Sequence, residues 1–280
     1  MTLSTAATKT APARGPMTGL AVQLCLLAVL AAALGLTESG LFAGGLYGLV
    51  LCGLLGAGLQ RAGMSALGPA NAVTLSRAIL VGGVTALVVT SFTHPVSTPA
   101  LVAVAGVALA LDGVDGQVAR RTGSTSELGA RFDMEIDAFL ILVLSIYAGD
   151  RFGWWTVALG AYRYAFVAAS WALPWLTAAL PPKFSRKVVA ALQGVVLALV
   201  TAHLLPYPLA VAALVLALGS LTWSFGRDVA WLYRASRIRE AARQRWSVPA
   251  EPAPSPQHSH APQHSHASQP SLPPQPVLVS

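Results

Sequence analysis

Four aspartates, Asp112, Asp115, Asp133 and Asp137, fall within 26 residues of the segment LDGVDGQVARRTGSTSELGARFDMEIDAF. Asp112 and Asp115 are three apart and Ala119 follows four later, so in a helix all three share one face. Gly129, Asp133 and Asp137 step by four and share a face of the helix that follows. A short turn between the two helices lets those faces meet. Ionised carboxylates brought together repel unless counter-charge separates them. Two divalent cations would supply it, and hard oxygen donors suit Mg²⁺ or Mn²⁺. Such a pair of cations is a clamp for displacement at phosphorus. Gly116, Ala119 and Gly129 leave space for phosphate or nucleotide against the backbone, and Arg120 offers a planar fork to a phosphate. Two other readings fit the same residues. The acids could pair with Arg120, Arg121 and Arg131 as an ion network, or form the cation or proton path of a transporter.

The elements that position these acids are apolar. The chain has 280 residues, is 55% hydrophobic and 10% charged, and its mean hydropathy is +0.62. A soluble domain carries about 25% charged residues, so the lipid bilayer is the solvent this composition fits. The net charge of +7 points to an anionic membrane surface. A nucleic-acid module would instead be a soluble fold with basic stripes, and no nucleic-acid partner is expected. Cys25 and Cys52 lie in apolar runs, with spacing that suits neither a disulfide framework nor zinc.

A membrane span takes about 20 predominantly apolar residues. The sequence supplies eight stretches, near Met17–Leu36, Leu41–Leu59, Pro69–Thr90, Thr98–Arg120, Arg131–Ala148, Gly153–Trp175, Lys187–Leu204 and Tyr207–Phe225. The first is expected to be a retained helix rather than a cleaved leader. Eight spans put both termini on one side. The loops of that side hold Lys9, Arg14, Arg61, Arg120, Arg121, Arg131, Lys183, Arg186, Lys187 and the arginines after Phe225, whereas the opposite loops hold only Arg151. The positive-inside rule therefore makes the first side cytoplasmic, the aspartates included. Trp154, Trp155, Trp171 and Trp175 sit near the ends of span six, where interfacial aromatics belong.

The segment resembles the signature of the CDP-alcohol phosphatidyltransferase family, D-x2-D-G-x2-A-R-x8-G-x3-D-x3-D. Asp112, Asp115, Gly116, Ala119, Arg120, Gly129, Asp133 and Asp137 fill its fixed positions with every spacer correct. The signature covers about a tenth of the chain. ANAVTLSR, with Asn71, Thr74 and Arg77, is similar to the family's N-x2-T-x2-R element on the preceding helix. The spans from Pro69 onward match a six-helix core, with two further spans before it. The resemblance implies that Asp112, Asp115 and Asp133 hold two Mg²⁺ ions on the donor diphosphate. Asp137 would complete the second ion's ligands and act as the base towards the acceptor hydroxyl. Gly116, Ala119, Arg120, Gly129, Asn71, Thr74 and Arg77 would line the CDP pocket. The implied reaction moves the phosphatidyl group of CDP-diacylglycerol to a polar alcohol and releases CMP. The same stretch is also similar to the choline and ethanolamine phosphotransferase branch, which passes a head group to diacylglycerol.

Arg163, in YRY of span six, resembles in position the family's acceptor-phosphate arginine, and Lys183, Arg186 and Lys187 lie on the same side as the aspartates. Together they fit a phosphorylated acceptor such as glycerol 3-phosphate or inositol phosphate, while the last three equally fit positive-inside anchoring of span seven. Beyond Phe225, Trp231, Ala235, Ile238, Ala242 and Trp246 recur at helical spacing among arginines, the pattern of an interfacial basic helix. Residues 248–280 are Pro-, Ser- and Gln-rich with a tandem PQHSHA repeat, the composition of a disordered tail. The expected organisation is all-α: a flexible N-terminus (1–16), two additional spans (17–66), a catalytic core (67–225), the basic helix (226–247) and the tail (248–280). The expected setting is the plasma membrane, crossed several times, where a homodimer is one assembly open to the chain.

Overall fold

The computed structural model describes residues 14–61, 69–122, 127–178, 180–181 and 184–247. Within these, residues 14, 69–72, 113–122, 127–128 and 244–247 are described as backbone alone. Eight α-helices account for most of the described residues: α1 (Arg14–Leu34), α2 (Glu38–Arg61), α3 (Pro69–Ser91), α4 (Thr98–Thr122), α5 (Glu127–Phe152), α6 (Ala158–Ala172), α7 (Phe184–Thr201) and α8 (Tyr207–Ser247). Five of them are long and apolar enough to cross a membrane: α1, α2, α3, α7 and α8. This is a multi-pass helical membrane protein. The helices of the signature are different, because charge occupies part of their length. In α4 the apolar run is followed by Asp112, Asp115, Arg120 and Arg121, and α5 opens with Glu127, Arg131, Asp133, Glu135 and Asp137 before its apolar half.

Span six departs from the single helix expected over Gly153–Trp175. It is split into a 3-10 turn (Trp154–Val157), the 15-residue α6 and a second 3-10 turn (Pro174–Thr177). Gly153 at φ +98° starts the break, and Pro174 ends the helix because its ring has no N–H to give and restricts Leu173 before it. The other end of the bundle differs in the opposite sense. Span eight and the basic segment are one continuous helix of 41 residues. Leu221, Ser224, Asp228, Leu232 and Ser236 recur at three- and four-residue steps as its buried residues, so the helical period runs on past the point where apolar composition ends. The bundle is a unit through Ser236, and Arg237–Ser247 are the last described residues of α8.

Helices gain little by exchanging acyl chains for one another, so cohesion rests on close packing and polar contacts. At the centre stands α3, which packs against α1, α2, α4 and α5. In its apolar stretch 67% of residues are buried, against 22% in α1 and in α2, whose other faces are left to lipid. The α2–α3 seam is built on Gly40 and Gly44, while Gly48 faces α1, and all three are buried. A Cβ on Gly40 would fall 2.6 Å from the Ala86 carbonyl oxygen, and one on Gly44 would fall 3.1 Å from the Gly82 carbonyl oxygen. At one end of the seam the Thr37 and Thr90 hydroxyls meet at 3.2 Å. The two additional spans are thus fastened to the helix that carries Thr74 and Arg77.

Candidate active site

Asp112 comes from α4, Asp133 and Asp137 from α5, and Arg77 from α3. Each α5 aspartate is one helical turn from the other, so both point along the same line towards α3. One carboxylate oxygen from each of Asp112, Asp133 and Asp137 lies within 4.8 Å of the others. Those side chains are 44%, 33% and 42% exposed, whereas that of Arg77 is 1% exposed. The Arg77 guanidinium forms ion pairs with Asp112 and Asp133 and reaches Asp137 at 3.3 Å. It also donates to the Asp133 carbonyl oxygen at 3.2 Å. Three formal negative charges are thus met by one positive charge among these four side chains. The remaining two match a divalent cation, and three partly exposed carboxylate oxygens are the donor set that a hard dication takes. The residues fit such an ion.

The reading of the acids as an ion network with Arg120, Arg121 and Arg131 meets a different cation here. Among the described residues the guanidinium that joins them is Arg77, from a helix outside the signature. Asp115, Gly116, Ala119 and Arg120 lie on α4 and Asn71 on α3, but their side chains are outside the described residues. Thr74 is buried one turn before Arg77, and Gly129 sits in the first turn of α5.

The opposite face of α5 holds a second ion pair. Glu135 lies between Asp133 and Asp137 in sequence but turns towards α6, where Arg163 donates to it through Nη2 and, at 3.4 Å, through Nε. The two helices approach closely at Gly160, where a Cβ would fall 2.7 Å from the Leu142 backbone nitrogen. That approach brings Arg163, one turn along α6, within reach of Glu135.

The segment from residue 68 to 223 matches the family model for CDP-alcohol phosphatidyltransferase. The chain belongs to the CDP-alcohol phosphatidyltransferase family. It is therefore a transferase of substituted phosphate groups, acting in the membrane on a CDP-alcohol and an alcohol acceptor. No curated protein and no solved structure matches the chain. The matched region begins at the start of α3 and ends within α8, so α1 and α2 lie before it.

The expected acceptor residues of this phosphatidyltransferase are placed separately. Arg163 is engaged by Glu135. Arg186 pairs with Asp228 of α8 at 3.1 Å and donates to the Pro181 carbonyl oxygen. Lys187 is exposed, and Lys183 lies outside the described residues. Beside the Arg186 pair, Arg227 donates to Ser185 at 2.9 Å. Sequence reasoning passed over Glu135 and Asp228. Their signal was available, because each is an acid at or inside an apolar stretch, where an unpaired charge is costly. It also passed over Tyr47, by which α2 reaches the core: its ring stacks on Phe139 of α5 with centroids 4.9 Å apart.

Proposed function

We propose that the chain transfers the phosphatidyl group of CDP-diacylglycerol to the hydroxyl of a polar alcohol. In this reading Asp112, Asp115, Asp133 and Asp137 hold Mg²⁺, two ions in the full complex, with Mn²⁺ as a substitute. The observation that carries it is, among the described side chains, the excess of carboxylate over guanidinium where α3, α4 and α5 meet. When bound, the cations neutralise the diphosphate and draw charge from the phosphorus–oxygen bond that breaks. The acceptor oxygen attacks the lipid-side phosphorus, the bond to CMP breaks, and CMP leaves with the bonding electrons. Asp137 takes the acceptor proton or passes it to water. Its second role, as a ligand, draws on the same carboxylate, so positioning and charge neutralisation do most of the work.

The glycines and alanine of the signature, with Arg120, Asn71 and Thr74, would line the CDP pocket. Arg163, Lys183, Arg186 and Lys187 would bind a phosphorylated acceptor, in competition with Glu135 and Asp228 where those acids now stand. The positive-inside asymmetry supports a cytoplasm-facing site in the plasma membrane, with both termini cytoplasmic and the basic part of α8 at the leaflet surface.

The test is turnover by purified protein given CDP-diacylglycerol, Mg²⁺ and single acceptors, among them glycerol 3-phosphate, inositol phosphate and unphosphorylated polyols. The expected result is CMP release with one acceptor class and a matching new phospholipid by mass spectrometry. Release of CMP only from CDP-choline or CDP-ethanolamine with diacylglycerol would reverse the direction of transfer and refute this donor.

A further inference from the structure

The residue that neutralises the carboxylates is the one least able to leave. Arg77 is buried, its guanidinium pairs with all three described aspartates, and it donates to main chain as well. Its partners are the same carboxylates whose oxygens converge within 4.8 Å. A guanidinium and a dication therefore claim one set of oxygens. Like charges a few ångströms apart in a partly buried site repel strongly, so a cation entering alone must work against Arg77. Arg77 cannot answer by swinging into water, since its side chain is enclosed. It needs another anion within reach, and a diphosphate bound between the same helices is one, with geometry that suits a planar fork.

We infer that Arg77 is the resident counter-cation of the site and couples metal loading to the donor: it holds the carboxylates together when no donor is bound, and passes to the diphosphate as the metal takes its place. This rests on the metal-dependent, CDP-using reading above and adds an order to it. The cation binds weakly alone and tightly with the nucleotide. Free carboxylates would otherwise repel one another and spread, so the same residue keeps the ligand set assembled. By linkage, the metal must raise the affinity for the nucleotide by the same factor as the nucleotide raises that for the metal.

The experiment measures Mn²⁺ binding by electron paramagnetic resonance of the free ion, with the full-length protein in detergent, without and with CDP. The proteins are wild type, Arg77→Met and Arg77→Lys, each checked for fold by gel filtration and circular dichroism. For wild type, CDP should raise Mn²⁺ affinity at least about tenfold. Arg77→Met should bind Mn²⁺ alone at least about tenfold more tightly than wild type, with less than about threefold further gain from CDP. Arg77→Lys keeps the charge and should stay near wild type in the absence of CDP. If Arg77→Met is poorly stable, its Tm supplies the readout, because Mn²⁺ should raise it more than that of wild type. Equal or weaker Mn²⁺ binding by folded Arg77→Met, or an equal Tm gain, would overturn the role given to Arg77. No Mn²⁺ binding by wild type with or without CDP, alongside CMP release that persists in chelator, would instead overturn the metal reading beneath it.

Discussion

The two faces of α5 carry the same residue types in different proportions. Towards α3 and α4, Asp133 and Asp137 join Asp112 around one guanidinium among the described residues, that of Arg77. Towards α6, Glu135 meets Arg163 one to one through both sides of the guanidinium fork. A balanced pair satisfies itself and needs nothing more. An unbalanced cluster keeps ligand capacity, and its acids are costly in a membrane protein unless something else arrives. The contrast teaches that charge excess, more than charge itself, separates a site for a cation from an ion pair that joins two helices.

The largest effect should come from the unbalanced face. Asp137→Asn keeps shape and removes one negative charge, and CMP release should fall by about two to three orders of magnitude while the protein elutes and melts like wild type. Activity within a few-fold of wild type would break the comparison at its stronger side. Gly160→Val attacks the balanced face through packing. The added atoms would meet the α5 backbone at Leu142, so α6 must move, and overpacking of this kind costs about 1–3 kcal/mol, seen as a lowered Tm. Unchanged stability would mean that the approach of α5 and α6 is not tight.

Glu135→Gln is a smaller change with a sharper question. It should cost about 1 kcal/mol or less in stability, since both side chains are partly exposed. It should change the KM for a phosphorylated acceptor by a few-fold through the freed Arg163, with kcat nearly unchanged. A loss of kcat as deep as that of Asp137→Asn would show that the balanced pair belongs to the reaction and erase the distinction.

A change remote from both faces should matter least. Just past the end of α7, His203 stands at φ 54°, where hydrogen bonds from Leu204 to Leu199 and from His203 to Val200 form the motif that favours glycine. His203→Gly should raise stability by a few tenths of a kcal/mol, because relief of the left-handed strain slightly outweighs the backbone freedom that glycine adds to the unfolded chain. It should also remove a pH dependence. Burial first, and the Arg151 charge second, hold the His203 imidazole below its ordinary pKa. The fold therefore prefers the neutral ring, and that stability is lost as pH falls from about 6.5 through the lowered folded value. Thermal melts of wild type and variant between pH 8 and 5 check both points, with CMP release unaffected.

Much of this arrangement was legible in the sequence because it depends on local period. Steps of three and four predicted which acids would share a face, and Asp112, Asp133 and Asp137 do converge. Apolar runs located α1 to α4 within a few residues. What stayed hidden depends on contacts across sequence. Arg77 is 35 residues from Asp112 and 56 from Asp133. Nothing in ANAVTLSR says that its arginine meets carboxylates rather than a nucleotide. The fork of Arg163 looked free for an acceptor because its partner Glu135 lies 28 residues earlier, on a face of α5 that the spacing of Asp133 and Asp137 does not mark. The end of span eight was placed at Phe225, where composition turns polar. The helix runs on because Asp228, Leu232 and Ser236 keep a buried stripe, and a hydropathy average blurs such a stripe once arginines fill the other faces.

The most direct test of the central claim is CMP release from CDP-diacylglycerol by the purified protein during a Mg²⁺ titration, with the productive acceptor held constant. Turnover should be absent in chelator, rise with Mg²⁺, recover when Mn²⁺ replaces it, and stay flat for Asp133→Asn at every concentration. Full turnover in chelator, or an Asp133→Asn protein that responds to Mg²⁺ as wild type does, would show that the carboxylate excess between α3, α4 and α5 is not where a cation works.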